Sequence, residues 1–365
     1  MESASPKPDA DTDTETYFKY HYLEGVERIE KYRPGGYHPI ALNDNLNNRY
    51  RIVHKLGYGG FSTLWLARDE KADNYVAIKI YLRRKSIEAS LILPMLDEFI
   101  VRGPNGEHQC IVTPLARMSV YTAIDSTYHR PFQLPIARAI AAQRIQAVAF
   151  LHSQGIVHAD IRPDNILLRL SQCIDDLSSS QLYAQYQPPD IEPITASVMT
   201  RLYSNIPPAF APPESQFQAD VPLSFSADIW SLACTVFNIM GRSPPFYMDF
   251  ASDTTTMIEE WVLLLGKLPF EWWSKWDARS TLFNEDGTRN DNNPSKSIVS
   301  WDQRFEECMQ EPRQVENMEE IENKEKDALT TMLKSMLRYQ PEERLTARDV
   351  LESKWKSGHS LKSNG

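Results

Sequence analysis

His158-Ala159-Asp160-Ile161-Arg162-Pro163-Asp164-Asn165 is the stretch whose reading decides the fold of this chain. It follows a run in which Ile136, Ile140, Ala141, Ile145, Val148 and Leu151 recur at helical spacing. Gly155 stands where the C-terminal cap of that helix belongs. It precedes Ile166-Leu167-Leu168, an apolar run of strand type. A polar loop between a helix and a strand is by itself an ordinary turn. Its meaning depends on what stands upstream.

From Arg49 to Leu82 the chain alternates apolar and polar residues, is rich in β-branched and aromatic types, and breaks at Gly57–Gly60 and near Asp73–Asn74. That pattern predicts three antiparallel strands joined by tight turns. The first break carries Leu56 and then Gly57-Tyr58-Gly59-Gly60-Phe61-Ser62-Thr63-Leu64. Glycines in such a turn let backbone N–H groups approach phosphates with no Cβ in the way. The third strand carries Val76-Ala77-Ile78-Lys79. A lysine between apolar strand neighbours is usually a snorkelling surface residue. Behind a glycine turn it becomes a candidate for pairing the α- and β-phosphates of a nucleotide. In the loop at 158–165, Asp160 can orient a substrate hydroxyl and accept its proton, and Asn165 can hold magnesium against the phosphates. The conjunction of the three carries weight that no one of them has.

A second hairpin is predicted around Pro104-Asn105-Gly106. After about residue 119 the pattern turns helical. Asp228 to Met240 is apolar on all sides, as a helix buried in a domain centre is. Leu329, Met332, Leu333, Met336 and Leu337 mark an amphipathic helix, and Ala347 to Trp355 a last short one. Residues 285–297 read as a polar surface loop. The expected class is α+β, a small β-rich lobe followed by a larger helical lobe. The expected divisions are an acidic disordered tail over 1–17, a lead-in over 18–50, the small lobe over 51–118, the large lobe over 119–357 and a tail over 358–365.

Composition bounds the rest. The chain has 365 residues, 42% hydrophobic and 24% charged, with a formal net charge of -10. That acidity argues against nucleic-acid binding and suits a basic partner. The apolar runs are too short to span a bilayer, and the N-terminus is unlike a signal or transit peptide, so cytoplasm and nucleus are expected. Cys110, Cys173, Cys234 and Cys308 lie far apart and read as free thiols of a reducing compartment.

The glycine turn, the lysine strand and the loop at 158–165 resemble the signatures of eukaryotic protein kinases. Pro212-Pro213-Glu214 is similar to the family's Ala-Pro-Glu motif, and Ser226-Ala227-Asp228-Ile229-Trp230-Ser231 to the start of the central helix whose aspartate anchors the catalytic loop. Arg344 resembles the buried arginine that pairs with Glu214. Tyr32-Arg33-Pro34-Gly35-Gly36-Tyr37-His38-Pro39-Ile40, the strand Phe61–Leu66, the turn Gly103–His108 and a small residue, Ala159, where most kinases carry arginine resemble the SR-protein kinases. The resemblance covers about Tyr32 to Trp355. It implies a bilobal fold with an ATP cleft bounded by Leu56–Leu64, Ala77 and Lys79 above and Asp160–Asn165 below. It implies ATP and Mg2+ as cofactors, Asp160 orienting the substrate serine, Arg162 neutralising the transferring phosphate and Asn165 holding the metal. Serines of basic Arg/Ser-rich proteins such as splicing factors are the implied substrates. The chain is expected to be a monomer that binds neither nucleic acid nor membrane directly.

Two family features are missing. No Asp-Phe-Gly or Asp-Leu-Gly follows Leu168. Asp176 is the stand-in for its metal-binding aspartate, although the run from Asp176 also reads as an N-capped helix, an insertion typical of SR-protein-kinase relatives. The helix that follows the lysine strand is shortened to one or two turns, with Glu88 as the candidate partner of Lys79. Four readings follow: an active kinase with a makeshift metal site, a pseudokinase scaffold, an incomplete version of an active enzyme, or a small-molecule phosphotransferase of kinase-like fold, which Pro212–Phe217, Ser226–Ser231 and the lead-in disfavour.

Overall fold

The structure, a computed structural model, describes residues 17–20, 23, 25–82, 94–127, 131–170, 173–200, 209–248, 252–290 and 298–358. The chain divides into two compact units, Met1–Ala116 with Arg169–Tyr203, and Arg117–Leu168 with Ser204–Gly365. The first unit thus takes in Arg169–Tyr203, which the sequence reading assigned to the larger lobe.

Among the described residues the first unit holds eight strands: β1 (Tyr17–Tyr20), β2 (Asn45–Leu46), β3 (Tyr50–Gly59), β4 (Ser62–Asp69), β5 (Asn74–Tyr81), β6 (Asp97–Gly103), β7 (Gly106–Pro114) and β8 (Ala196–Thr200). Six of them form an antiparallel sheet in the order β2-β3-β4-β5-β7-β6. β3, β4 and β5 are the three strands expected from the alternation, and Gly103 pairs with Gly106 across the expected second hairpin. The turn after β4 has a local cause. Asp69 accepts the N–H groups of Lys71 and Ala72, which bends the chain back, and Asp73 takes a left-handed φ of 55°.

Alternation gives the sheet two different faces. Tyr50, Ile52, Trp65, Ala67, Val76, Ile78, Ile80, Cys110 and Val112 bury one of them, with Ile40 and Leu42 of the lead-in packed on it. On the other face Val53, Leu66 and Tyr75 are covered by Ile174 and Leu182. Leu182 lies on the helix Ser179–Tyr186, whose N-cap is Ser178 in a capping box with Gln181. The helix therefore starts three residues later than the sequence suggested. Ser178 has Gln181 at N3 to complete the box, whereas an N-cap at Asp176 would have Ser179 there. β1 pairs with β8, Tyr17 opposite Thr200 and Phe18 opposite Met199. The sequence reading foresaw neither strand, since it placed Tyr17 in the disordered tail.

The second unit is helical. Leu134–Ser153 forms the long helix expected from its spacing, and Gly155 ends it at φ 77°. Phe225–Met240 is the buried central helix, with every residue from Ala227 to Met240 buried. Its Trp230 packs against Trp261 and Phe246 in one large core that takes in Leu329, Met332, Leu333 and Met336 of the helix Asn323–Met336. The last expected helix is two, Ala347–Leu351 and Lys354–Gly358. Between them the Ser353 hydroxyl accepts the Lys356 N–H, a local bond that competes with continuing the helix. All four cysteines are free, and only Cys173 is exposed.

Candidate functional site

The glycine turn of the first unit closes β3 onto β4. Gly57 pairs with Leu64, Tyr58 with Thr63 and Gly59 with Ser62, leaving Gly60 and Phe61 at the tip. A Cβ added at Gly57, Gly59 or Gly60 would meet nothing within 4 Å. Packing therefore does not demand these glycines, and their open side fits the close approach of a ligand such as a nucleotide phosphate. Leu56 and Tyr58 are exposed, while Ser62 and Thr63 are buried. Thr63 is not available to a ligand through its hydroxyl, which accepts the Trp65 indole N–H at 3.0 Å.

Register places the roof residues together. Leu64 pairs with Lys79 and Leu66 with Ala77, so alternation sets Leu64, Leu66, Ala77 and Lys79 on one face of the sheet. Ala77 is buried; Lys79 is exposed, with its Nζ 5.2 Å from the centroid of the Tyr81 ring. Among the described residues no carboxylate lies within ion-pair distance of Lys79. Glu88, the candidate partner, lies outside the described residues.

In the second unit the loop at 158–165 is built around Asp228 of the central helix. One Asp228 oxygen accepts the Ala159 N–H at 2.7 Å; the other accepts the His158 N–H at 2.7 Å and lies 3.0 Å from His152 Nε2. Ala159 takes a left-handed φ of 63°, a conformation that L-residues other than glycine resist. The Asp160 N–H then donates to His158 Nδ1 at 3.2 Å. Burial lowers the His158 pKa, against the opposing pull of Asp228, which keeps the ring neutral and its Nδ1 an acceptor. Thr235 of the central helix donates to the Ile161 carbonyl at 3.3 Å.

That scaffold presents an exposed carboxylate. The Asp160 side chain is 64% exposed, with the Arg162 Nε 3.5 Å from one oxygen. The Asn165 amide donates 2.7 Å to the other oxygen and 3.0 Å to the Asp160 main-chain carbonyl. Both Asn165 donors thus point at Asp160, which leaves its amide oxygen as the acceptor side, a hard ligand of the kind magnesium takes. The arrangement can receive a proton from a hydroxyl and offer oxygen donors to a hard cation. Ile166 and Leu168 fix the far end of the loop through backbone bonds with Val120 and Met118.

Asp176 is exposed in the turn before the helix Ser179–Tyr186 and belongs to the first unit, while Asn165 belongs to the second. Its neighbour Asp175 is engaged by Tyr75 and by the Cys173 thiol at 3.1 Å. Among the described residues no group of three or more His, Cys, Asp or Glu side chains could hold a metal ion. Sequence reasoning quoted Tyr37 as part of the lead-in and gave it no role; its hydroxyl donates to the Gly59 carbonyl at 2.8 Å.

Residues 50–356 match the protein kinase domain family. Protein kinase dsk1 of Schizosaccharomyces pombe is 36% identical over 173 residues, 41% of this chain and 31% of that protein. SRSF protein kinase 3 of Homo sapiens is 31% identical over 185 residues, 44% of this chain and 32% of the relative. The serine/threonine-protein kinase SRPK of Physarum polycephalum is 27% identical across 89% of this chain and 90% of its own length. The chain thus spans about a third of the length of the first two relatives and nearly all of the third.

Proposed function

The chain belongs to the protein kinase domain family, and from that premise we propose that it transfers the γ-phosphate of ATP to serines of Arg/Ser-rich proteins, as a serine/threonine kinase of the SR-protein-kinase type. The observation that carries this reading is the Asp160 carboxylate, exposed and aimed by the Asn165 amide in a loop pinned to Asp228. Asp160 orients the substrate hydroxyl and takes its proton. Arg162 offsets charge on the transferring group, and Lys79 with the N–H groups of Gly57–Leu64 holds the phosphates. Leu56 and Ala77 contact the base. The Asn165 amide oxygen would hold magnesium, which when bound would supply positive charge against the phosphates. An acidic chain with a net charge of -10 favours cationic substrates. Its places of action, on this reading, are the cytoplasm and the nucleus.

The assay is purified chain with labelled ATP, magnesium and an Arg-Ser peptide. Transfer that disappears in Asp160→Ala is the expected result, and no transfer above that control overturns the proposal.

A second reading, a pseudokinase scaffold, is favoured by one observation: the segment that follows Leu168 carries no Asp-Phe-Gly, and its Asp175 is bonded into the first unit's sheet. Losing one preorganised group from a transition state costs about 2.7–4 kcal/mol, or ~10²–10³ in rate. Slow turnover supports the first reading with a makeshift metal site. ATP binding without turnover supports the second.

A further inference from the structure

The lead-in is tied to the tip of the glycine turn by one hydroxyl. Tyr37 is 3% exposed, and its Oη donates to the Gly59 carbonyl at 2.8 Å. Everything around Tyr37 fixes its place. Its N–H donates to the Lys31 carbonyl, and its own carbonyl accepts the Asn105 amide at 2.6 Å. Gly35 donates back to the Asn105 carbonyl at 2.8 Å, and its φ of 75° turns the chain. Gly36 is needed for a different reason, since a Cβ there would lie 1.8 Å from the Lys31 carbonyl oxygen. The Tyr32 ring packs on the Tyr37 ring with centroids 5.7 Å apart. Burial and the nearby Glu27 carboxylate raise the Tyr37 pKa, so the hydroxyl remains a donor through the working pH range.

Among the described residues little else holds the tip. Gly59, Gly60 and Phe61 are exposed, Phe61 at 80%, and open space lies beside both glycines. Among the described residues two bonds from outside the turn fasten it: Tyr37 to Gly59, and the Leu82 N–H to the Phe61 carbonyl at 3.0 Å. A glycine-rich turn held by its own residues alone samples many conformations, and each order it lacks before binding must be imposed by the ligand.

We propose that Tyr37 is a positioning residue for the nucleotide: its hydroxyl holds Gly59 so that the N–H groups of the turn stand ready for phosphate. The inference rests on the reading of Gly57–Leu64 as the phosphate cradle and adds to it a residue about twenty positions upstream.

Tyr37→Phe keeps the ring and removes the bond. Two quantities are read, the equilibrium Kd for ATP with magnesium and the hydrogen exchange of residues 57–64 in the free protein. Thr346→Ala, which removes a helix-capping hydroxyl in the second unit, is the control for general loss of stability. In Tyr37→Phe the Kd rises about two- to tenfold, as loss of one net hydrogen bond implies, and exchange at 57–64 quickens. Thr346→Ala lowers the unfolding midpoint and moves neither quantity. Unchanged Kd in Tyr37→Phe overturns the inference while leaving the cradle intact. Equal weakening in both variants also overturns it, because the effect is then one of stability. A wild-type chain that takes up no ATP overturns the cradle reading and the inference together.

Discussion

Asp228 holds Ala159 in a left-handed backbone conformation: the carboxylate accepts the alanine's N–H at 2.7 Å while the residue sits at φ 63°. The strain is local and the restraint comes from a buried side chain 69 residues away. Strain of this kind persists only where the surroundings over-determine it. Here it serves to aim the next residue, Asp160.

Asp228→Ala leaves the His158 and Ala159 N–H groups without their acceptor. At about 0.5–1.5 kcal/mol for each of these part-buried bonds, the second unit loses about 1–3 kcal/mol, read by denaturant unfolding. Ala159→Gly separates strain from function. Relief of the left-handed conformation, worth about 1–2 kcal/mol, outweighs the about 0.4–1 kcal/mol of added chain entropy in the unfolded state, so stability holds or rises slightly. Ala159→Val, β-branched at positive φ, destabilises.

Glu214 and Arg344 form the buried ion pair expected of them, with two bonds of 2.7 Å, and the Arg344 side chain is fully buried. Arg344 also donates to the carbonyls of Arg338, Ser226 and Tyr339. Arg344→Met strands a buried carboxylate and three carbonyls and costs about 3–5 kcal/mol. Glu214→Gln, which keeps an acceptor, costs less. The order of the two unfolding midpoints checks the claim.

The segment Cys173–Tyr186 is fastened to the first unit by side chains that a metal-binding role would not use. Tyr183 donates to the Val53 carbonyl at 2.7 Å, Tyr75 to the Leu177 carbonyl at 2.9 Å, and Arg68 to the Asp175 carbonyl at 2.6 Å. Leu182→Ala opens a cavity beside Val53, Leu66 and Tyr75 and costs about 2–3 kcal/mol. Asp175→Ala leaves the Tyr75 N–H unpaired and destabilises as well, whereas Asp176→Ala leaves stability within about 0.5 kcal/mol. If Asp176 serves magnesium, its replacement weakens the dependence of ATP binding on magnesium and nothing else.

Much of this was legible because the chemistry is contiguous. The loop at 158–165, the glycine turn and the lysine strand each lie within a dozen residues, and alternation in β3, β4 and β5 sets which side chains share a face. What the sequence withheld was long-range and polar. Nothing in residues 37 and 59, or 75 and 175, announces that a hydroxyl meets a carbonyl or that a carboxylate meets an N–H. The partnership of Glu214 and Arg344, 130 residues apart, was expected only from family resemblance. Apolar periodicity names a buried face; it does not name the polar partner across a gap of a hundred residues.

Acid should loosen the lead-in. His38 is buried against His108, ring centroids 4.8 Å apart, and desolvation with the His108 neighbour lowers its pKa while Asp44 opposes. A histidine whose folded pKa lies below its unfolded value of about 6.5 contributes fully above that pH. The contribution is lost as pH falls through the folded pKa, because the unfolded chain then takes up the proton more readily. The first unit is therefore less stable at pH 5.5 than at pH 7.5. His38→Phe, which keeps a ring beside His108, flattens that slope.

The docking of Cys173–Tyr186 onto β3, β4 and β5 also sets a schedule. A ribosome releases the six-stranded sheet's residues first, yet Val53, Leu66 and Tyr75 stay uncovered until Ile174 and Leu182 emerge. The Tyr75–Asp175 bond spans 100 residues, which at about 5–20 residues per second is a wait of roughly 5–20 s. Through that interval the nascent chain carries Val53, Leu66 and Tyr75 without the cover that Ile174 and Leu182 later give them. Its first unit is thus finished only after the loop at 158–165 has been made.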